Sequence, residues 1–103
     1  MKLNLPHEKI AAFCRKWNVS EFALFGSVLR DDFRSDSDVD VLVSFPSREA
    51  TPSLFDHVDM QDELAGIFGR PVDLLTRAGV EDSRNPIRKR SILDSARVVY
   101  AAS

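Results

Sequence analysis

The chain has 103 residues, of which 44% are hydrophobic, and we expect residues 1–103 to form one domain with a small core. Its formal net charge is −2, so whole-molecule charge does not indicate nucleic-acid binding, and direct binding of nucleic acid is not expected. A single cysteine excludes an internal disulfide, and the sequence shows neither a membrane-length apolar run nor a signal-peptide core. These features predict a cytoplasmic protein without a membrane contact.

The first quarter of the chain predicts a helix followed by a strand. Pro6 suits the first helical position, and Asn18 can end the helix in a left-handed conformation. The apolar face of this helix repeats at helical spacing and consists of Ile10, Phe13, Cys14 and Trp17. Residues 21–25, EFALF, are too short and too apolar for an amphipathic helix, so we interpret them as a strand buried on both faces. Gly26 ends that strand, and residues 27–33 predict a short helix.

The remainder of the chain predicts two further strands, two helices and a closing strand. Residues 38–45 alternate, with three valines on one side and Asp38, Asp40 and Leu42 on the other. Thr51 and Pro52 resemble the start of a helix that Gly69 would end. Residues 72–76, VDLLT, predict a strand, residues 86–95 a helix that follows Asn85, and residues 98–100 a closing strand. The order indicates an α/β (α+β) fold in which helices pack on a small mixed β-sheet.

A candidate phosphate site lies at Gly26 and Ser27, where a strand turns into a helix. Glycine allows close backbone approach to a ligand, and the N–H groups of a helix start attract anions such as phosphate. The Ser27 hydroxyl adds a donor. The alternative is an ordinary strand-to-helix turn with Ser27 as its N-cap.

Asp38 and Asp40 are candidate metal ligands. Two positions apart on a strand, they share a face at a separation of roughly 6.6 Å along its axis. Two such charges about 4 Å apart repel by about 4 kcal/mol at an effective dielectric near 20, so a shared site favours cations that neutralise them. Oxygen-only ligands suit Mg²⁺ or Mn²⁺ better than zinc. The alternative is a solvated strand edge.

Asp73 is a third candidate carboxylate, because aspartate is unfavourable inside a strand such as VDLLT. If the third strand lies beside the second, Asp73 can join Asp38 and Asp40. Three carboxylates of this kind can hold the two metal ions used for nucleotidyl transfer. The alternative is an aspartate on an exposed edge.

These residues form the pattern Gly26-Ser27-x10-Asp38-x-Asp40, with Asp73 in a later strand. The pattern resembles the signature of the DNA polymerase beta-like nucleotidyltransferase superfamily. More narrowly, the chain resembles a minimal nucleotidyltransferase (MNT) antitoxin, the partner of a HEPN-domain ribonuclease toxin. The resemblance extends over nearly the whole chain, through LFGS, LRDDF, DSDVDVLV, GRPVDLLT and the closing RVVYA. It implies the DNA polymerase beta-like nucleotidyltransferase fold.

The resemblance also implies a role for each residue of the pattern. Gly26 and Ser27 would bind the triphosphate of ATP, and Asp38, Asp40 and Asp73 would be the catalytic residues and the ligands of two Mg²⁺ ions. Asp73 would further help to deprotonate the attacking hydroxyl. Two nearby residues are further nucleotide-binding candidates, each with an alternative: a surface ion pair for Arg30 and a loop-shaping role for Ser37.

For function, the resemblance implies an antitoxin that transfers AMP from ATP to a tyrosine hydroxyl of its HEPN toxin, with which it forms a hetero-oligomer. Because nearly all residues are used by the nucleotide-binding layer, we expect the acceptor to lie on another protein. Two alternatives stay open. One is an antitoxin that neutralises its toxin by binding alone, and the other is nucleotidyl transfer to RNA, which the acidic chain disfavours.

One basic cluster remains outside the pattern: Arg84, Arg88, Lys89 and Arg90, at the last predicted helix. The cluster fits a solvated helix face. It also fits a surface for an acidic protein partner or for RNA.

Overall fold

The structure, a computed structural model, describes residues 5–26, 38–47 and 52–102. The helix predicted at residues 27–33 lies outside the described residues. The described elements follow the order α1 His7–Trp17, β1 Glu21–Phe25, β2 Val39–Ser44, α2 Leu54–Phe68, β3 Val72–Thr76, α3 Arg77–Glu81, α4 Pro86–Ser95 and β4 Arg97–Ala101. None of the described helices is both long enough and apolar enough to span a membrane.

Helix α1 and strand β1 form as their sequence periods predict. Pro6, predicted as the first helical residue, is instead the N-cap, and the helix begins at His7. Asn18 ends the helix at φ 60°, the left-handed conformation expected of an asparagine cap. After Asn18 the chain enters β1, in which four successive residues are buried. Burial on both faces explains why β1 is a continuous apolar run rather than an alternating one.

The four strands form one mixed sheet in the order β3-β2-β1-β4. Strand β1 pairs antiparallel with both β2 and β4, whereas β2 and β3 are parallel. A parallel pair needs a long crossover connection, and helix α2 supplies it between β2 and β3. This confirms the predicted fold class, with helices packed on a small mixed sheet.

Helices cover the sheet on both faces. On one face, α1 and α2 pack on the main core, to which β2 contributes the fully buried Val39, Val41 and Val43. On the other face, α3 and α4 pack through Val80 and Ile92 against a smaller cluster of β1 and β2 side chains. The predicted valine face of β2 is therefore confirmed. The opposite face of the same strand is not simply solvated, because Leu42 is buried in the smaller cluster.

Two elements differ from the sequence expectation. Helix α2 begins at Leu54 rather than at Pro52, because the Ser53 side chain accepts a hydrogen bond from the Asp56 backbone N–H and caps the helix there. The prediction also missed the short helix α3. Thr76 caps α3 by accepting from the Gly79 N–H, and Arg77 pairs with Glu81 one turn later at 3.0 Å.

Candidate active site

Asp40 and Asp73 lie directly opposite each other on neighbouring strands. In the parallel ladder between β2 and β3, Asp40 is the register partner of Asp73. Because partners in a parallel ladder point to the same side, both side chains leave the sheet on the face opposite the main core. The structure thus brings together two of the three carboxylates predicted from the sequence, although they come from distant parts of the chain.

Gly26 places its backbone against the Asp40 side chain. Phe25, the last residue of β1, is the register partner of Asp40 in the antiparallel ladder. Gly26 follows at φ +73°, in the left-handed region that favours glycine. A Cβ at Gly26 would overlap the Asp40 carboxylate, because it would meet Oδ2 in hard contact and Cγ at 3.3 Å. The glycine is therefore required by two independent features, its backbone conformation and its close approach to Asp40.

Asp38 stands immediately before β2, at the same end of the sheet. The next residue, Val39, donates its backbone N–H to the Pro71 carbonyl at 3.0 Å, which holds the start of β2 beside the start of β3. Strand alternation puts Asp38 on the same side as Asp40. Asp38 is exposed, and Asp73 is also exposed in the middle of an otherwise partly buried strand.

The outer edge of β3, next to Asp73, is held by side chains of α2. His57 Nε2 lies 2.9 Å from the Leu74 carbonyl oxygen, and Gln61 Oε1 accepts from the Leu74 N–H at 3.2 Å. A carbonyl oxygen can only accept, so Nε2 is the protonated ring nitrogen in this contact. These two bonds satisfy backbone groups on an edge strand and fix the position of the residue that follows Asp73.

The donor chemistry of these residues fits Mg²⁺ or Mn²⁺. Asp40 and Asp73 offer carboxylate oxygens side by side, and such oxygens are the ligands that these hard cations prefer. Within residues 5–26, 38–47 and 52–102, no three or more histidine, cysteine or acidic side chains are already gathered closely enough to hold a metal ion. The role of Asp38, Asp40 and Asp73 as a three-carboxylate metal site therefore stays a prediction.

Three of the predicted nucleotide-binding residues, Ser27, Arg30 and Ser37, lie outside the described residues. Gly26 is the one member of that group whose position the structure describes, and it lies in contact range of Asp40. The predicted phosphate site, through Gly26, therefore lies next to Asp40, one of the predicted metal ligands.

Sequence reasoning missed the contribution of α2 to this site. His57 hydrogen-bonds the strand that carries Asp73. The available signal is its spacing from Gln61, since two residues four positions apart in a helix lie on one face.

Comparison with known proteins adds the family. The sequence profile of the nucleotidyltransferase domain matches residues 7–99. A relative from Methanocaldococcus jannaschii, provisionally named a protein adenylyltransferase, is 34% identical over 96 residues, which are 93% of this chain and 96% of the relative.

Two solved structures share the fold. A crystal structure of a toxin–antitoxin with AMP-PNP superposes with a TM-score of 0.73 at 18% identity, and the match covers 96% of this chain and 76% of the other. A complex of tri-AMPylated HEPN toxin with MNT antitoxin, from Shewanella oneidensis, superposes with a TM-score of 0.63 at 17% identity, over 93% of this chain and 70% of the other.

Proposed function

This chain belongs to the nucleotidyltransferase domain family, and we propose that it is an antitoxin that transfers AMP from ATP to a tyrosine hydroxyl of a HEPN-domain toxin. The observation that carries the proposal is the in-register pair Asp40 and Asp73, with the Gly26 backbone packed against Asp40. Transfer of a nucleotide requires a place where the backbone can approach phosphate closely, which a glycine provides, beside carboxylates that can hold metal ions.

The acceptor and the donor are taken from similar proteins. The named relative is provisionally a protein adenylyltransferase, and one structural neighbour holds an ATP analogue. In the other neighbour the HEPN toxin itself carries AMP groups. These likenesses support ATP as the substrate, a toxin as the acceptor and a hetero-oligomer of the two proteins.

In the proposed reaction, the tyrosine oxygen forms a bond to the α-phosphorus of ATP. The bond from that phosphorus to the oxygen that bridges to the β-phosphorus breaks, and pyrophosphate leaves. The hydroxyl proton passes to the Asp73 carboxylate, which is exposed and therefore accessible to an acceptor that arrives from solvent. The products are the AMP ester of tyrosine and pyrophosphate.

The other residues of the site hold this geometry. Gly26 gives the triphosphate access to the backbone at the end of β1, and Asp40 stands between Gly26 and Asp73. Two Mg²⁺ ions, or Mn²⁺ in their place, would be held by Asp38, Asp40 and Asp73, and when bound they would offset the triphosphate charge and lower the pKa of the attacking hydroxyl. The hydrogen bonds that His57 and Gln61 form with the Leu74 backbone hold β3, and with it Asp73, in place.

The direct test measures transfer of label from ATP to a candidate HEPN toxin. The protein is incubated with the toxin, Mg²⁺ and ATP labelled at the α-phosphate, and label on the toxin is quantified over time. We expect Asp40→Asn and Asp73→Asn each to lower the rate by at least about a hundredfold, the range associated with loss of an acid–base group. Asp94→Asn is the matched control, because it removes the same charge from an exposed pair in α4. It should change the rate less than about twofold.

Either of two results would overturn the enzymatic proposal: label that never reaches the toxin, or label transfer that is undiminished in both site variants. Neutralisation by binding alone has its own readout. A variant in which Asp38, Asp40 and Asp73 are all replaced by asparagine would then still protect cells that express the toxin, whereas the proposal requires protection to be lost.

A further inference from the structure

A cavity of about 310 Å³ opens beside β3, between α2, α3 and α4. Its apolar lining includes Leu75, Val80 and Ile92, which belong to the smaller core cluster or pack against it. Polar and basic side chains, among them Arg88 and Lys89, complete the lining. The volume lies at the lower end of the range that ligand pockets occupy, so it suits one bulky apolar group.

The basic side chains of the cavity form no ion pair within residues 5–26, 38–47 and 52–102. The Arg88 guanidinium pairs with no carboxylate in the part of the chain that the structure describes, and Lys89 Nζ donates to the neutral Glu81 backbone carbonyl at 3.0 Å. Arg90, by contrast, points its guanidinium to Asp94 at 3.4 Å. Neither side chain is therefore held in an ion pair within the described residues, and a ligand that carries negative charge would complement them.

The cavity adjoins the candidate active site. Leu75 lines the cavity and follows Asp73 by two positions on the same face of β3, a distance of roughly 6.6 Å along the strand. An extended polypeptide spans that distance with about two residues. A segment seated in the cavity can thus present a neighbouring side chain to Asp73.

The surroundings favour a protein segment over a small molecule. Leu54, in the first turn of α2, is 77% exposed and lies one helical turn before His57, which lines the cavity. Apolar surface thus continues outside the cavity, where a small ligand would leave it exposed. A protein partner would cover both the cavity and Leu54.

We propose that this cavity is the docking site for the acceptor protein, and that it receives an apolar side chain flanked by acidic residues, close in sequence to the hydroxyl that accepts AMP. The inference rests on the proposed function for the identity of the acceptor. It assigns to Arg88 and Lys89 a role in selecting the acceptor, and none in the chemical step.

The test compares two charge reversals in α4. Arg88→Glu acts at the cavity, whereas Arg90→Glu makes the same change on a side chain that faces Asp94. Helix stability is protected in the first variant, because position 88 is the third residue of α4 after the Asn85 cap, where glutamate is favourable. Label transfer from ATP is measured at varied toxin concentration, and affinity for the toxin is measured separately without ATP.

We expect Arg88→Glu to raise the KM for the toxin and the dissociation constant about tenfold, with kcat at saturating toxin and the KM for ATP unchanged. Arg90→Glu should change each value less than about twofold. Equal effects of the two variants, or no effect of Arg88→Glu on affinity, would overturn the proposal. Affinity for a single-stranded RNA oligonucleotide that falls only in Arg88→Glu would also overturn it, in favour of a nucleic-acid site. Because affinity is measured without ATP, failure of the enzymatic proposal leaves this test intact.

Discussion

Replacing Gly26 with alanine tests whether the contact between Gly26, in the predicted phosphate site, and the Asp40 carboxylate matters for activity. The substitution has two costs that the structure separates. At φ +73° an alanine pays about 1–2 kcal/mol for the left-handed conformation. Its Cβ would also overlap the Asp40 carboxylate, so that the carboxylate or the end of β1 must move. We therefore expect Gly26→Ala to lose both stability and label transfer.

Gly69→Ala is the matched control for the backbone cost. Gly69 ends α2 at φ +70°, but an added Cβ there would meet nothing within 4 Å. Gly69→Ala should thus lose about 1–2 kcal/mol in the free energy of unfolding, and Gly26→Ala should lose at least as much, because the Cβ overlap adds to the backbone cost. Each kcal/mol lowers the Tm by about 4–8 °C in a domain of this size. Thermal and urea unfolding of the purified variants measure this loss.

Activity distinguishes the two variants. At a temperature where both are folded, Gly26→Ala should transfer AMP to the toxin at least about tenfold more slowly than the parent chain, because Asp40 no longer occupies its place beside Asp73. Gly69→Ala should transfer at the parent rate. Full activity in Gly26→Ala, or an equal loss in Gly69→Ala, would refute the reasoning that the Gly26–Asp40 contact belongs to the site.

Three further predictions concern stability and reactivity. Burial raises the pKa of the Cys14 thiol to about 12. The native protein at pH 8 should therefore resist a thiol-specific reagent that reacts with the unfolded protein. Stability should fall as pH rises from about 9, the pKa of the thiol in the unfolded chain, towards 12. Glu63→Ala removes the bonds from Lys16 at 2.6 Å and from Trp17 Nε1 at 3.1 Å, and should cost about 1–2 kcal/mol in urea unfolding. Gly66→Ala, inside α2 with nothing within 4 Å of the added Cβ, should instead stabilise the protein by about 0.5–1 kcal/mol, seen as a raised Tm.

Much of the fold could be predicted because its elements carry strong local signals. The alternation of Val39, Val41 and Val43 predicts the buried face of β2, and the structure buries all three. Residues 22–25 are apolar throughout because helices cover both faces of β1. Helix caps also carry a local sequence signal. Asn85 caps α4 as expected, because its side chain accepts a hydrogen bond from the Arg88 backbone N–H.

The pairing of distant segments could not be predicted from local pattern. Asp40 and Asp73 meet only because β2 and β3 are neighbours in the sheet. The sequence predicts that the two residues meet if these strands are adjacent, but it does not predict the adjacency. Helix α3 escaped prediction because five residues are too few to show an apolar period, even though Thr76 is a good cap. The cavity beside Arg88 depends on the packing of three helices against β3, which no local pattern encodes.

Strand β3 connects the two proposed steps, docking of the acceptor and transfer of AMP. It lies at an edge of the sheet, where one side pairs with β2 and places Asp73 next to Asp40. On its other side no strand of the described part of the chain pairs with it, and His57 and Gln61 bind the Leu74 backbone instead. His57 also lines the cavity proposed for the acceptor. A side chain that fills the cavity would therefore contact the same residue that holds β3 in place, so docking of the acceptor and positioning of Asp73 depend on one structural element.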